Sequence, residues 1–309
     1  MDAATVDQIR LNFSPQSLVA LNGAIGLMML GVALDLKLAD FKRIIVSPKA
    51  PAIGLCAQFI LLPAFTFLLT LVLRPSPSLA LGMILIAACP GGNLSNIMTY
   101  LARGNTAISV SMTAVSTAAA VVMTPFNLSL WGSLNPATAP ILRQVSLSPM
   151  DVFTTIFVIL GIPLCLGLLL SRIFPSLADK VRKPFRVISF LIFILFVALA
   201  LKANWEVFLH VIGLVVFVVL AHNALALTLG YVSGRIFGLP ERDVRAVAIE
   251  VGIQNSALGL VLIFNFFAGL GGMAIIAAWW GIWHIISGLS VATFWSRRPP
   301  KAHESVAAG

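Results

Sequence analysis

Charge is scarce in this chain. Of its 309 residues only 10% are Asp, Glu, Lys or Arg, against about 25% in soluble domains. Acids are scarcer still, at eleven Asp and Glu in all. Cysteine is limited to Cys56, Cys89 and Cys165, each in an apolar stretch. Three scattered thiols exclude a disulfide framework, and they read as small packing residues. No Cys, His, Asp or Glu cluster has metalloenzyme spacing. Met1 to Leu11 lacks the basic start and short apolar core of a cleavable signal. The first hydrophobic segment is therefore expected to act as signal and span together.

Apolar sequence is what the chain has in abundance. Hydrophobic residues make up 59% of it, and many runs reach the ~20 residues that cross a bilayer as a helix. The expected fold is an all-α membrane protein with nine transmembrane helices, at 17–35, 50–73, 79–101, 105–130, 150–171, 187–204, 207–234, 245–268 and 271–295. The longest link, 131–149, carries Pro136, Pro140 and Pro149 and divides four spans from five.

Placement of the basic residues gives the orientation. With the C-terminus in the cytoplasm, only Arg10, Arg74, Arg143 and Lys202 of the twenty Lys and Arg fall outside. This is a strong positive-inside bias, and nine spans then leave the N-terminus outside. The net charge of +9 is explained by orientation in a plasma (inner) membrane, and no nucleic-acid partner is inferred. Lipid is the expected solvent.

Ten of the eleven acids sit in tails, loops or helix ends; Glu250 alone lies well inside a span. A central acid costs roughly 2.5–3.5 kcal/mol on insertion scales and is a functional candidate by default. It stands in 250-EVGIQNS-256, where Gly252 is a weak point and Glu250 and Gln254, four apart, would share a helical face. A second break is expected at 88-ACPGGNLSN-96, where Pro90 removes a donor and two glycines loosen the chain. Broken helices in a bilayer are tolerated only inside protein or beside a cavity. A proline kink glued by polar residues is the plainer alternative, but Asn93, Ser95 and Asn96 crowd oxygen at the same depth. Interrupted segments at matching positions of two halves point to a transporter built of inverted repeats.

Other polar residues follow suit. Gln58 is buried in the second span, five residues before Pro63. Ser109 and Thr113 lie i,i+4 on one face of the fourth. His284 lies deep in the ninth, where an interhelical hydrogen bond is an equal alternative to a ligand contact. His222 reads as structure. No second intramembrane acid pairs with Glu250.

Together PGGNLSN at 90–96, Ser109 with Thr113, EVGIQNS at 250–256 and WHIISG at 283–288 resemble the bile acid:sodium symporter family. The stretch MTYLARGNTAISVSMTAVST at 98–117 looks like its bacterial members, and the likeness runs from about residue 24 to 296. The resemblance implies a panel domain (17–49 and 150–206) and a core domain (50–131 and 207–295). A 1–16 N-terminal segment and a 296–309 cytoplasmic tail flank them. Two discontinuous helices would cross in the core. It implies two Na+ ions. One would be held by Ser95, Asn96, Ser109, Thr113 and Glu250. The other would be held by Gln58, Glu250, Gln254 and the carbonyls of Val251 and Ile253. It implies substrate contacts at Asn93, Asn255 and His284. Nine spans make the chain resemble the animal members, and Ile285 stands where some bacterial relatives have Asn.

The function expected is Na+-coupled import of a small organic anion, bile acid-like, pantoate-like or a 2-oxo acid, with no enzyme activity and no oligomer required. Na+/H+ antiport at Glu250 is the competing reading, although paired acids are missing. An intramembrane enzyme using His284 or Ser95 is a third, without a recognisable nucleophile–base pair.

Overall fold

The computed structural model describes residues 38–145, 149–203 and 205–300, with isolated positions between 7 and 34. The first expected span, 17–35, and the N-terminal segment lie largely outside the described residues, as does the tail from 301. Among the described residues the fold is all-helical. The helices are α1 (Leu38–Val46), α2 (Lys49–Leu73), α3 (Pro77–Ala88), α4 (Leu94–Leu101), α5 (Thr106–Leu134) and α6 (Ala139–Val145). They continue with α7 (Pro149–Ile173), α8 (Pro175–Ala203), α9 (Trp205–Ile236), α10 (Glu241–Gly252), α11 (Ser256–Phe266) and α12 (Gly271–Ser296).

Among the described residues five helical stretches are long and apolar enough to cross a bilayer: Lys49–Leu73, Thr106–Leu134, Met150–Ile173, Gly213–Ile236 and Gly271–Ser296. Their exposed faces carry large apolar side chains such as Val72, Phe126 and Leu169. The chain is an integral membrane protein.

At the centre lie two short apolar helices, α3 and α11. Every residue of α3 from Ser78 to Ala88 is buried, as is α11 from Ser256 to Phe264. A helix apolar on all sides has no solvent face and belongs inside. α12 and α5 pack on α3, and α12 also on α11.

Several details depart from the reading above. The 131–149 link contains a helix, Ala139–Val145. α8 begins at Pro175 and carries the basic run before residue 187 in helical form. Cys56 and Cys165 are exposed, and only Cys89 is buried; two of the three are not packing residues. α2 makes a π turn at Ala57–Leu61. Pro63 has no N–H for the Phe59 carbonyl, and Asn127 Nδ2 donates to that oxygen instead, at 3.1 Å.

Candidate functional site

The site is organised by two broken helices. α3 stops at Ala88 and α4 starts at Leu94; α10 stops at Gly252 and α11 starts at Ser256. The unwound segments run antiparallel and meet at a Gly91–Gln254 bridge. Gly92 N–H donates to the Ile253 carbonyl at 2.6 Å, and Asn255 N–H to the Pro90 carbonyl at 2.9 Å. Breaking a helix frees carbonyls that lipid cannot satisfy. Three of them find side-chain donors here: Ala88 O from Thr124 Oγ1 at 2.7 Å, Cys89 O from Gln58 Nε2 at 2.8 Å, and Gly252 O from Asn223 Nδ2 at 2.8 Å.

Glu250, 1% exposed, is ringed by hydroxyls. Ser95 Oγ donates to Oε2 at 2.5 Å, Ser109 Oγ reaches Oε2 at 3.1 Å, and Thr113 Oγ1 reaches Oε1 at 2.7 Å. Asn96 Oδ1 lies 2.8 Å from Ser109 Oγ and 3.3 Å from Thr113 Oγ1. Each hydroxyl carries one proton, yet those of Ser109 and Thr113 each face more than one acceptor. Acceptor lone pairs therefore outnumber the protons available to them. Such an all-oxygen shell suits a hard cation. Gly91 packs against Glu250 Oε1, where a Cβ would collide; only glycine lets the backbone come this close.

Gln58 and Gln254 form a second cluster. Gln58 Nε2 donates to Gln254 Oε1 at 2.8 Å, and Gln254 Nε2 to Gln58 Oε1 at 3.2 Å. Gln254 Nε2 also donates to the Val251 carbonyl at 2.6 Å. The Ile253 carbonyl is taken by Gly92 N–H. Both oxygens of Glu250 face the hydroxyl cluster, and Gly91 stands between the two groups. The shared helical face expected for Glu250 and Gln254 does not exist, because the break separates them and Gln254 turns toward Gln58.

Of the substrate candidates, Asn93 and Asn255 stand at the N-caps of α4 and α11. Helix N-termini carry partial positive charge and attract anions. Asn255 Oδ1 accepts from Leu258 N–H at 3.1 Å; Asn93 makes no capping bond. His284 lies on the face of α12 bounded by Gly281, which packs on Ser256, and Gly288, which packs on Met98 and Ile253. Among the described residues its Nδ1 is buried without a hydrogen-bond partner.

Sequence reasoning missed the polar residues at the mouth of α10. Arg245 counted as one more cytoplasmic charge, yet it is 3% exposed. It donates to Glu241 Oε1 at 2.9 Å and to the carbonyls of Ala102 (2.9 Å), Trp295 (3.1 Å) and Arg298 (2.7 Å). Asp243 is buried too and accepts from Asn105 Nδ2 at 2.8 Å. Four charges in 241-ERDVR-245 at the head of a span were the available signal. His222, read as structure, meets Thr66 Oγ1 with its Nε2 at 2.8 Å and the Trp280 ring edge-on.

Paired broken helices that cross beside a buried carboxylate define a membrane transporter core. Residues 23–211 match the model of the Sodium Bile acid symporter family, and the chain belongs to that family, one of transporters and not of enzymes. Across 278 residues it is 34% identical to "Uncharacterized sodium-dependent transporter YocS" of Bacillus subtilis, covering 90% of this chain and 83% of the relative. It is 34% identical over 276 residues to "Probable sodium/metabolite cotransporter BASS1, chloroplastic" of Oryza sativa, covering 89% of this chain and 66% of that protein. The human "P3 protein" is 26% identical over 227 residues, covering 74% of this chain and 46% of its own length. The chain thus spans about two thirds or less of the rice and human relatives.

Proposed function

We propose that the protein is a Na+-coupled symporter that imports a small organic anion by alternating access. The observation that carries this reading is the ring of Ser95, Asn96, Ser109 and Thr113 oxygens around Glu250. One Na+ binds in that ring. A second binds to Gln58, Gln254 and the carbonyls of Val251 and Ile253, after the two amides give up their mutual bonds and Gly92 N–H releases the Ile253 oxygen. In this reading the second ion shares Glu250 as well, which requires the carboxylate to turn one oxygen away from the hydroxyls and past Gly91. The relatives' names, sodium-dependent transporter and sodium/metabolite cotransporter, agree with it.

The anion binds against Asn93, Asn255 and His284, where two half-helix N-termini offer positive ends. Bile acid-like, pantoate-like and 2-oxo acids share the carboxylate or sulfonate this site favours. Nine spans, with the N-terminus outside and the C-terminus in the cytoplasm, carry the core (50–131 and 207–295) against the panel (17–49 and 150–206). Ions that bind one conformation more tightly shift the equilibrium toward it. The test is uptake into proteoliposomes of bile salts, pantoate and 2-oxo acids, with a pH dye enclosed. Na+-gradient-driven accumulation without proton efflux is expected; uptake indifferent to the gradient overturns the reading.

A further inference from the structure

The oxygens around Glu250 come from three segments: Ser95 and Asn96 on α4, Ser109 and Thr113 on α5, and Glu250 on α10. Their spacing is therefore set by whatever ties those segments together. One such tie lies at the turn between α4 and α5. Gly104 packs so closely against Thr99 and the Arg242 carbonyl that a Cβ would lie 2.8 Å from Thr99 Cγ2. Asn105 then grips the first turn of α10 twice: its N–H donates to the Arg242 carbonyl at 2.8 Å, and its Nδ2 donates to Asp243 Oδ1 at 2.8 Å. The same side chain caps α5, Oδ1 accepting from Ile108 N–H at 3.3 Å.

The register links this contact to the ion shell. Asn105, Ser109 and Thr113 follow at i, i+4 and i+8, and Asp243 and Glu250 at i and i+7; both spacings keep residues on one stripe of a helix. The faces that meet at Asn105–Asp243 are the faces that meet at Glu250. Asp243 is 7% exposed, and holding a carboxylate out of water is costly when an apolar pair would join two helices without that cost. Burial pushes its carboxyl above the ordinary range, while the Asn105 bond and the Arg242 charge pull it back down.

We propose that Asn105 and Asp243 are a positioning pair for the Na+ site at Glu250, fixing α5 against α10 so that the hydroxyls and the carboxylate stand at Na+ spacing. The proposal rests on the Na+-coupled reading above.

The experiment is thermal stability of the purified full-length protein, titrated with NaCl and, in parallel, LiCl, at constant ionic strength. Asn105→Asp keeps the α5 cap but sets one carboxylate against another. It is expected to raise the Na+ midpoint by about five-fold or more and to change the Na+/Li+ ratio, the coupling expected of directly contacting residues. The double variant Asn105→Asp with Asp243→Asn exchanges donor and acceptor and is expected to bring the midpoint back to within about two-fold of wild type. Should Asn105→Asp fail to fold, Asn105→Ser, which caps α5 but cannot reach Asp243 with an amide, carries the same expectation. A lowered Tm with both ion midpoints unmoved, or a folded double variant that does not recover, overturns the proposal. A wild type that ignores Na+ altogether overturns the symport reading, and the positioning role falls with it; the two failures are distinct in the wild-type trace.

Discussion

Ser95 Oγ donates to Glu250 Oε2 at 2.5 Å, joining residues 155 positions apart in sequence. The bond draws α4 and α10 together at one edge of the crossing. A hydrogen bond to a charged group contributes about 1.5–3 kcal/mol. Ser95→Ala removes one oxygen from the shell and is expected to raise the Na+ concentration for half-maximal uptake about ten-fold, the equivalent of ~1.4 kcal/mol. Initial rates of uptake against Na+ concentration check this.

Glu250→Gln removes the charge and keeps the shape. Its carbonyl oxygen still accepts from Ser95, and the desolvation cost of a carboxylate that is 1% exposed disappears. The Na+-free Tm is expected to match or exceed that of wild type, while the rise in Tm on adding NaCl vanishes. Scans with and without NaCl measure both. A retained Na+ response would show that Glu250 holds no ion.

Gly91→Ala drives a methyl group into the Glu250 carboxylate. Transport is expected to fall at least about ten-fold, since overpacking a tight site commonly costs 1–3 kcal/mol. Gly213→Ala is the control: nothing lies within 4 Å of its added Cβ, and in the middle of α9 the change is expected to raise stability by about 0.5–1 kcal/mol.

Arg245→Met strands the carbonyls of Ala102, Trp295 and Arg298 at the C-terminal ends of α4 and α12. Breaking a buried charged network costs about 3–5 kcal/mol, and the expected result is a large fall in Tm. Arg245→Lys restores the charge but not the planar fork, so it recovers less than half of the loss. Thermal unfolding in detergent separates the three proteins.

Asp243 adds a pH dependence of known sign. Burial lifts its carboxyl above the ordinary value of 3.8. The folded state therefore holds this proton more tightly than the unfolded chain. Its contribution to stability is full below 3.8 and is lost as pH rises through the folded pKa. Asp243→Asn is expected to flatten that part of the stability–pH curve, measured by Tm at a series of acidic pH values.

The breaks were legible because proline and glycine act locally. Pro90, Gly91 and Gly92 lie where α3 stops, and Gly252 is the last residue of α10. Glu250 was legible because an acid amid apolar residues is costly wherever it is found. The resemblance implied that the two breaks meet, but the bonds that join them were not legible: those between Gly92 and Ile253, and between Asn255 and Pro90, use backbone groups that nearly every residue has. Gln254 misled for the same reason, its helical spacing from Glu250 being cut by the break between them. Arg245 and Asp243 read as charges at the edge of a span, since a helix end looks polar whether water or protein surrounds it. The π turn before Pro63 follows from the missing N–H, but the choice of Asn127 to fill the gap is a tertiary fact.

The two unwound segments are clasped to one another by main-chain bonds, from Gly92 N–H to Ile253 and from Asn255 N–H to Pro90. These bonds use no side-chain atom, although Gly91 must stay glycine for the segments to come this close. Asn93, Asn255 and His284 can be exchanged for other residues, and the strand-like clasp between 90–92 and 253–255 remains. The frame that would hold ions is thereby insulated from the surface that would choose the anion, so one can diversify while the other stays put.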